Sequence, residues 1–371
     1  MEKIEKSPLY DEPVLGIIGS SISLEHWDKC QDSWTKKKYK DTVINLLNYL
    51  DPSLLKEYGN KDKTEFNIPH GSIMVKITIK DNQFNVHAPF LKLPKDKQNI
   101  IMRQISELNF FRLLLAQIKL DKDVLFFNYT TPLELCEPYK IWDVLYDICI
   151  FADYYDDIFI EELGAGRVSK MQVKPFTQSQ LDTLWDLYQK YLDESLKHLE
   201  YFEANRWWIP GLDSARITLM KLDYLLQPQG KLVSDIQKTL NDSFGGMAPN
   251  EIFNKTKTEI AKLKKWNRKK FDENMYIPKF LIPPKRRASL SVAQNILRPD
   301  YETAKNYHDQ SNFFAATHFA LYAIYNLFFR NTIPTKVEEV LNSGLKKASH
   351  LDWKVASEKL LQVLEKVMKM K

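Results

Sequence analysis

Between residues 66 and 163 the chain alternates apolar and polar positions, changes to helical spacing, and alternates again. Residues 71–80 and 83–89 run with period two around the short turn Lys80-Asp81-Asn82. That pattern predicts an antiparallel hairpin with Ile73, Val75, Ile77 and Ile79 on one face. Residues 94–118 show helical spacing and carry the pair Leu108-Asn109, residues 124–129 form a third strand-like run, and Pro138 opens a second helix with Asp156-Asp157 near its end. Ahead of this block a helix is expected over residues 41–58, stopped by Gly59-Asn60. Residues 1–20, with Pro8, Pro13 and Gly16, read as a flexible arm. The expected architecture of residues 21–165 is an α+β sandwich, an antiparallel sheet with helices.

Gly164-Ala165-Gly166 is the expected domain boundary, and beyond it the spacing is helical throughout. Residues 177–205 form one amphipathic run whose first turn, Thr177 followed by Gln178 and Gln180, has the form of an N-cap. Further helices are expected over residues 215–226, 232–244, 249–271, 301–330, 336–345 and 352–369. Residues 276–287, with Pro278, Pro283 and Pro284, should be an extended connector. Residues 170–371 therefore read as an all-α domain.

Composition sharpens this picture. A chain of 371 residues exceeds one ordinary core, and 44% hydrophobic residues exclude wholesale disorder. The start, Met1-Glu2-Lys3-Ile4-Glu5-Lys6, has no apolar run after a basic region, so no secretory leader is expected. The longest apolar run, residues 313–329, spans 17 residues and includes Thr317, His318 and Asn326. A membrane span needs ~20 mostly apolar residues, so a buried central helix is expected instead. Cys30, Cys136 and Cys149 are widely spaced without zinc-ligand spacing, which fits reduced thiols and a cytoplasmic location. The formal net charge of +5 hides a segregation: residues 255–287 carry 12 Lys/Arg against Glu259, Asp272 and Glu273, whereas residues 132–163 carry nine Asp/Glu against Lys140 alone. Opposite charge of this kind concerns partners or docking of the two halves.

The order of helix, strands, helix with Leu-Asn, strand, and helix with an Ala-Asp-x-x-Asp pattern resembles the YbjN-like group, which shares the fold of type III secretion chaperones. The residues that carry the resemblance are Phe84-Asn85-Val86-His87-Ala88-Pro89, Leu108-Asn109, Leu125 to Phe127, and Ala152-Asp153-Tyr154-Tyr155-Asp156-Asp157. It covers roughly residues 35–165. It implies a protein-binding role, often as a dimer, in which exposed sheet or helix surface holds an unfolded segment of a client. The helical second half has no counterpart in that group.

Two charged segments are the candidate sites. Asp153, Asp156, Asp157, Glu161 and Glu162 superficially resemble an aspartate-rich magnesium motif. At ~100° per residue, however, Asp147, Asp153, Asp157 and Glu161 fall opposite the apolar stripe of Ile141, Leu145, Ile148, Ala152, Tyr155 and Phe159. A solvated or partner-binding face is therefore expected, with no metal or other cofactor. The second candidate comprises Lys264, Lys265, Trp266 and Arg268, joined after the prolines by Lys285, Arg286 and Arg287. Cations with an interleaved aromatic are the material of nucleic-acid surfaces. One aromatic is no stacking platform, and a solvated helix or an acidic protein partner fits the segment better. The seven histidines show no metal-ligand spacing, and His318 is expected to be a hydrogen-bonded core residue. Gly16-Ile17-Ile18-Gly19 and Gly164-Ala165-Gly166 lack phosphate-loop context. Trp207-Trp208-Ile209-Pro210 reads as packing at a helix junction.

No catalytic constellation emerges. The expected function is a non-enzymatic, cytoplasmic adaptor or chaperone-like assembly factor that binds a protein client or a secretion or assembly component and can form a homodimer. The alternatives are a metal-dependent enzyme using the acidic helix and a nucleic-acid-associated protein using residues 255–287.

Overall fold

The structure, a computed structural model, describes residues 4–14, 16 and 22–371. It is α+β, with an antiparallel sheet in the first half and helices after it. The chain divides into two compact units: residues 19–174 with 277–284, and residues 1–18 with 175–276 and 285–371.

The α+β unit begins with three helices, α1 (Leu24–Thr35), α2 (Tyr39–Leu50) and α3 (Leu54–Tyr58). The single helix expected over residues 41–58 is broken at Asp51-Pro52, and α1 was not foreseen. Strands β1 (Glu65–His70), β2 (Ile73–Lys80) and β3 (Gln83–Lys92) follow, then α4 (Gln98–Phe111), β4 (Gln117–Asp121), β5 (Val124–Pro132), α5 (Pro138–Leu163) and the short β6 (Gly166–Arg167). The sheet order is β1-β2-β3-β5-β4, with β6 added to β3. The expected hairpin is present: Ile79 faces Phe84 and Lys80 faces Gln83. Asp81 and Asn82 both take positive φ, 51° and 55°, which matches the right-handed twist of the strands they join.

One face of the sheet is dry. Ile73, Val75, Ile77, Phe84, Val86, Ala88, Leu125 and Phe127 are buried with Ile101 and Ile105 of α4 and Ile141, Leu145, Ile148 and Phe159 of α5. At ~25 cal/mol per Å² of apolar surface removed from water, this one-sided core is the main term holding the unit together. Residues 277–284 belong to it as well, and Leu281 and Ile282 are fully buried. The extended connector expected there is real, but part of it is core. The unit continues to Lys174, so Gly164-Ala165-Gly166 is not its edge: Gly164 ends α5 in the left-handed region (φ 77°), and Gly166 enters β6.

The second unit contains α6 (Gln178–Ala204), α7 (Trp208–Leu226), α8 (Gly230–Asp242), α9 (Pro249–Lys264), α10 (Arg268–Glu273), α11 (Leu290–Asp309), α12 (Phe313–Arg330), α13 (Thr335–Ala348) and α14 (Trp353–Met368). Thr177 and Gln180 form a reciprocal capping box that starts α6. Asn267 caps α10 and divides the expected helix 249–271. The apolar run at residues 313–329 becomes α12, which is buried against α7, α11 and α14 as expected. Among the described residues no helix is long and apolar enough to cross a membrane. The expected arm is also corrected: Ser7 and Tyr10 are buried, and the described residues 4–14 and 16 belong to this helical unit. The rest of the expected arm, residues 1–3, 15 and 17–20, lies outside the described residues, as does most of Gly16-Ile17-Ile18-Gly19.

Candidate functional site

Helix α5 turns only Asp143, Glu161 and Glu162 of its acids fully to water. Asp147, Asp156 and Asp157 are buried, and Asp153 is half-buried. This overturns the solvated-face expectation for three of the acids, while Glu161 is exposed as expected. The reason lies in elements that no local pattern reveals. The end of β1 and β6 meet Asp153, Asp156 and Asp157 through His70 and Arg167, and the segment after α4 meets Asp147 through the Leu114 N–H. A signal for Asp156 was present in the sequence. Counted from Asp143 at ~100° per residue it falls at about 220°, between Leu145 and Cys149, on the core side.

Arg167 answers the two innermost acids. Pairing of β6 with Leu91 and Lys92 fixes its backbone. Its guanidinium donates to Asp156 Oδ2 at 2.8 Å and to Asp157 Oδ1 at 2.7 Å, and Asp156 Oδ1 accepts from the Asp157 N–H at 2.6 Å. Burial and then the neighbouring Asp157 push the Asp156 carboxyl up to about 7, and Arg167 opposes them. Two buried carboxylates thus share the Arg167 guanidinium.

Asp153 meets the end of β1. His70 is fully buried, with Nε2 3.0 Å from Asp153 Oδ2. Nδ1 accepts from the Leu281 N–H at 3.1 Å. Burial favours the neutral ring, whereas Cys149 and Asp153 favour the imidazolium. The balance raises the ring pKa well above its ordinary value, yet Nδ1 accepts the Leu281 N–H and so keeps its lone pair in this structure, which places the ring's proton on Nε2. Gly71 follows at φ 50°, a region that favours glycine, and a Cβ there would lie 2.1 Å from Asp153 Oδ1, so a side chain would displace the Asp153 carboxylate. The His70–Asp153 contact thus ties α5, the β1–β2 turn and residues 277–284 together. Among the described residues no group of three or more His, Cys, Asp or Glu side chains is placed to hold a metal ion.

The basic residues are likewise engaged within their own unit. Lys264 pairs with Asp193 at 2.7 Å, Arg268 with Asp182 and Asp272 at 2.7 Å each, and Lys285 with the buried Asp223 at 2.7 Å. Trp266 is half-buried under Lys270, whose Nζ lies 4.3 Å from the ring centroid. Lys265 is exposed, and Arg286 and Arg287 are exposed on a two-residue strand paired in parallel with Asn331 and Thr332. These residues are held by different elements: Lys264 and Arg268 by α6 and α10, Lys285 by α7 and α12.

The feature that local spacing concealed lies at the end of α4. Phe110 is 81% exposed, Phe111 76%, Leu114 78% and Leu115 42%. Phe110 and Phe111 touch edge to face with ring centroids 4.7 Å apart. Single exposed apolar residues are ordinary, whereas four large ones within six positions mark a contact surface. This ridge is braced from behind. Leu113 and Ala116 turn inward, and Asp147 Oδ2 of α5 accepts the Leu114 N–H at 3.2 Å. Asn109 holds the following strand with both ends of its amide: Nδ2 donates to Ile118 O at 2.8 Å, and Oδ1 accepts from Ile118 N at 2.7 Å.

No family model and no curated protein sequence matches this chain.

Proposed function

We propose that the chain is a non-enzymatic protein-binding adaptor or chaperone-like assembly factor whose α+β unit holds client segments on the Phe110–Phe111–Leu114–Leu115 ridge. The observation that carries this reading is the exposure of those four side chains on a braced backbone. Water is excluded from them only when another apolar surface is laid on top, and at ~25 cal/mol per Å² that is the main attraction such a ridge can offer. Aromatic anchors on a fixed backbone lose little freedom on binding. The resemblance of residues 35–165 to the YbjN-like group agrees with this reading. The acids expected to touch partners are better assigned to holding the unit together, since Arg167 bonds Asp156 and Asp157 and the buried His70 ring lies 3.0 Å from Asp153. A photoreactive phenylalanine analogue at Phe111 should crosslink to a reduced, unfolded test client, and the same analogue at exposed Lys80 in the hairpin turn should not. Equal crosslinking from both positions, or none from Phe111, refutes the proposal.

A further inference from the structure

The helical unit binds residues 4–14 in an unusual way. Lys6 forms an isolated antiparallel bridge with Asp352, and the Ser7 N–H donates to Leu351 O at 2.8 Å; beyond them, side chains of the helical unit take up backbone groups that a sheet would ordinarily satisfy. Glu194 Oε1 of α6 accepts the Leu9 N–H at 2.8 Å, and Lys221 Nζ of α7 donates to Leu9 O at 3.0 Å. Ser349 Oγ accepts the Tyr10 N–H at 2.9 Å, and Tyr191 Oη accepts the Asp11 N–H at 2.9 Å. Trp353 Nε1 donates to Ile4 O at 3.1 Å. Side chains of the segment are read as well. Ser7 Oγ donates to Ala348 O and accepts from Leu351 N at 3.0 Å, Tyr10 is buried, and the Asp11 carboxylate lies 2.7 Å from Lys190 Nζ.

The receiving groups are built in at a cost. Lys221 is 2% exposed, 3.3 Å from Glu194 and 3.8 Å from the Tyr191 ring centroid. Burying an ion pair is expensive unless its remaining hydrogen-bonding capacity is filled, and here the N–H and carbonyl of Leu9 contribute one bond to each partner. The fit is incomplete: a small cavity lies between Ser7 to Tyr10 and Ile217, Leu321, Tyr325 and Leu360, and the buried Tyr10 hydroxyl has no hydrogen-bond partner.

We propose that the groove between α6, α7 and the α13–α14 turn is a docking site for extended peptides bearing a small hydroxyl residue, an aromatic three positions later and an acid next to it. Residues 4–14 occupy it as a tethered ligand. The site is independent of the α4 ridge and adds a second partner class to the protein.

The test uses the full chain and a fluorescent peptide of residues 4–14. Replacing Leu9 and Asp11 by proline removes the two N–H groups that Glu194 and Tyr191 receive and leaves every helix residue untouched. The double variant should keep its helical circular dichroism and bind the peptide at least about ten-fold tighter than the wild-type chain, whose own segment competes at high effective concentration. A peptide carrying proline in place of Leu9 should bind neither protein. If the double variant unfolds, residues 4–14 are core rather than ligand and the proposal is wrong. It is equally wrong if the variant folds but binds no tighter than wild type, or binds both peptides alike.

Discussion

Arg167 bonds two buried carboxylates, and its removal would take this cation from both. Breaking a fully buried pair costs about 3–5 kcal/mol. With its side chain 32% exposed, Arg167 is partly screened by water, and a loss of about 2 kcal/mol is expected for Arg167→Ala. The double variant Asp156→Asn/Arg167→Ala should recover more than half of that loss, because it also removes the carboxylate that burial disfavours. Chemical denaturation of the four proteins of the cycle checks this. His318 makes a second prediction. It is buried on α12 with Nδ1 3.1 Å from Phe314 O, the hydrogen-bonded core residue that its apolar surroundings led us to expect. Burial, reinforced by nearby His198 and opposed by the Phe314 carbonyl, lowers it from 6.5 to about 4. The unfolded chain therefore binds the proton first. The stability tied to the neutral ring is fully present above about pH 6.5 and is lost as the pH falls towards 4. Between pH 7 and pH 5 the wild type should lose about 2 kcal/mol more stability than His318→Leu. Parallel losses in the two proteins would show that His318 is not the titrating group.

At the scale of elements, patterns were legible wherever a side chain's fate depended on its own strand or helix. The period-two run from Ile73 to Ile79, the Pro138 start of α5 and the Thr177 capping box at α6 each carry a local physical cause and each appear as expected. Local patterns failed where distant chain decided burial. The acids of α5 are met by Leu114, His70 and Arg167, which lie on other elements of the chain, so a helical wheel alone could not place them. The expected helix 94–118 failed for the opposite reason. Phe110, Phe111, Leu114 and Leu115 look like core residues but face outward, and the helix stops at Phe111. Asn109, noted in the sequence only as half of a Leu-Asn pair, proves to be the brace of edge strand β4. Asn109→Ala removes two hydrogen bonds and leaves the Ile118 backbone groups without those partners; the unit should lose about 2 kcal/mol. A urea titration should show a lower midpoint at unchanged slope. An unchanged midpoint would mean that β4 is held by the sheet alone.

At the scale of the whole molecule, the charge segregation that is so evident in the sequence largely closes within each unit. Acids of α5 meet Arg167 and His70, and Lys264, Arg268 and Lys285 meet Asp193, Asp182, Asp272 and Asp223. The capacity to bind partners is better sought in apolar and backbone-reading surfaces. The fold class was legible in the sequence, whereas the ridge was hidden among residues that resemble core. The most direct test of the ridge as a client-holding surface is a binding titration of the full chain with a labelled, reduced and unfolded test client, comparing wild type with Phe110→Ser/Phe111→Ser/Leu114→Ser. These side chains are exposed, so the melting curve of the variant should match that of wild type to within about 0.5 kcal/mol. Its affinity for the client should fall at least about ten-fold, each lost anchor being worth on the order of 1 kcal/mol or more. A variant that folds normally and binds the client as tightly as wild type would contradict the assignment.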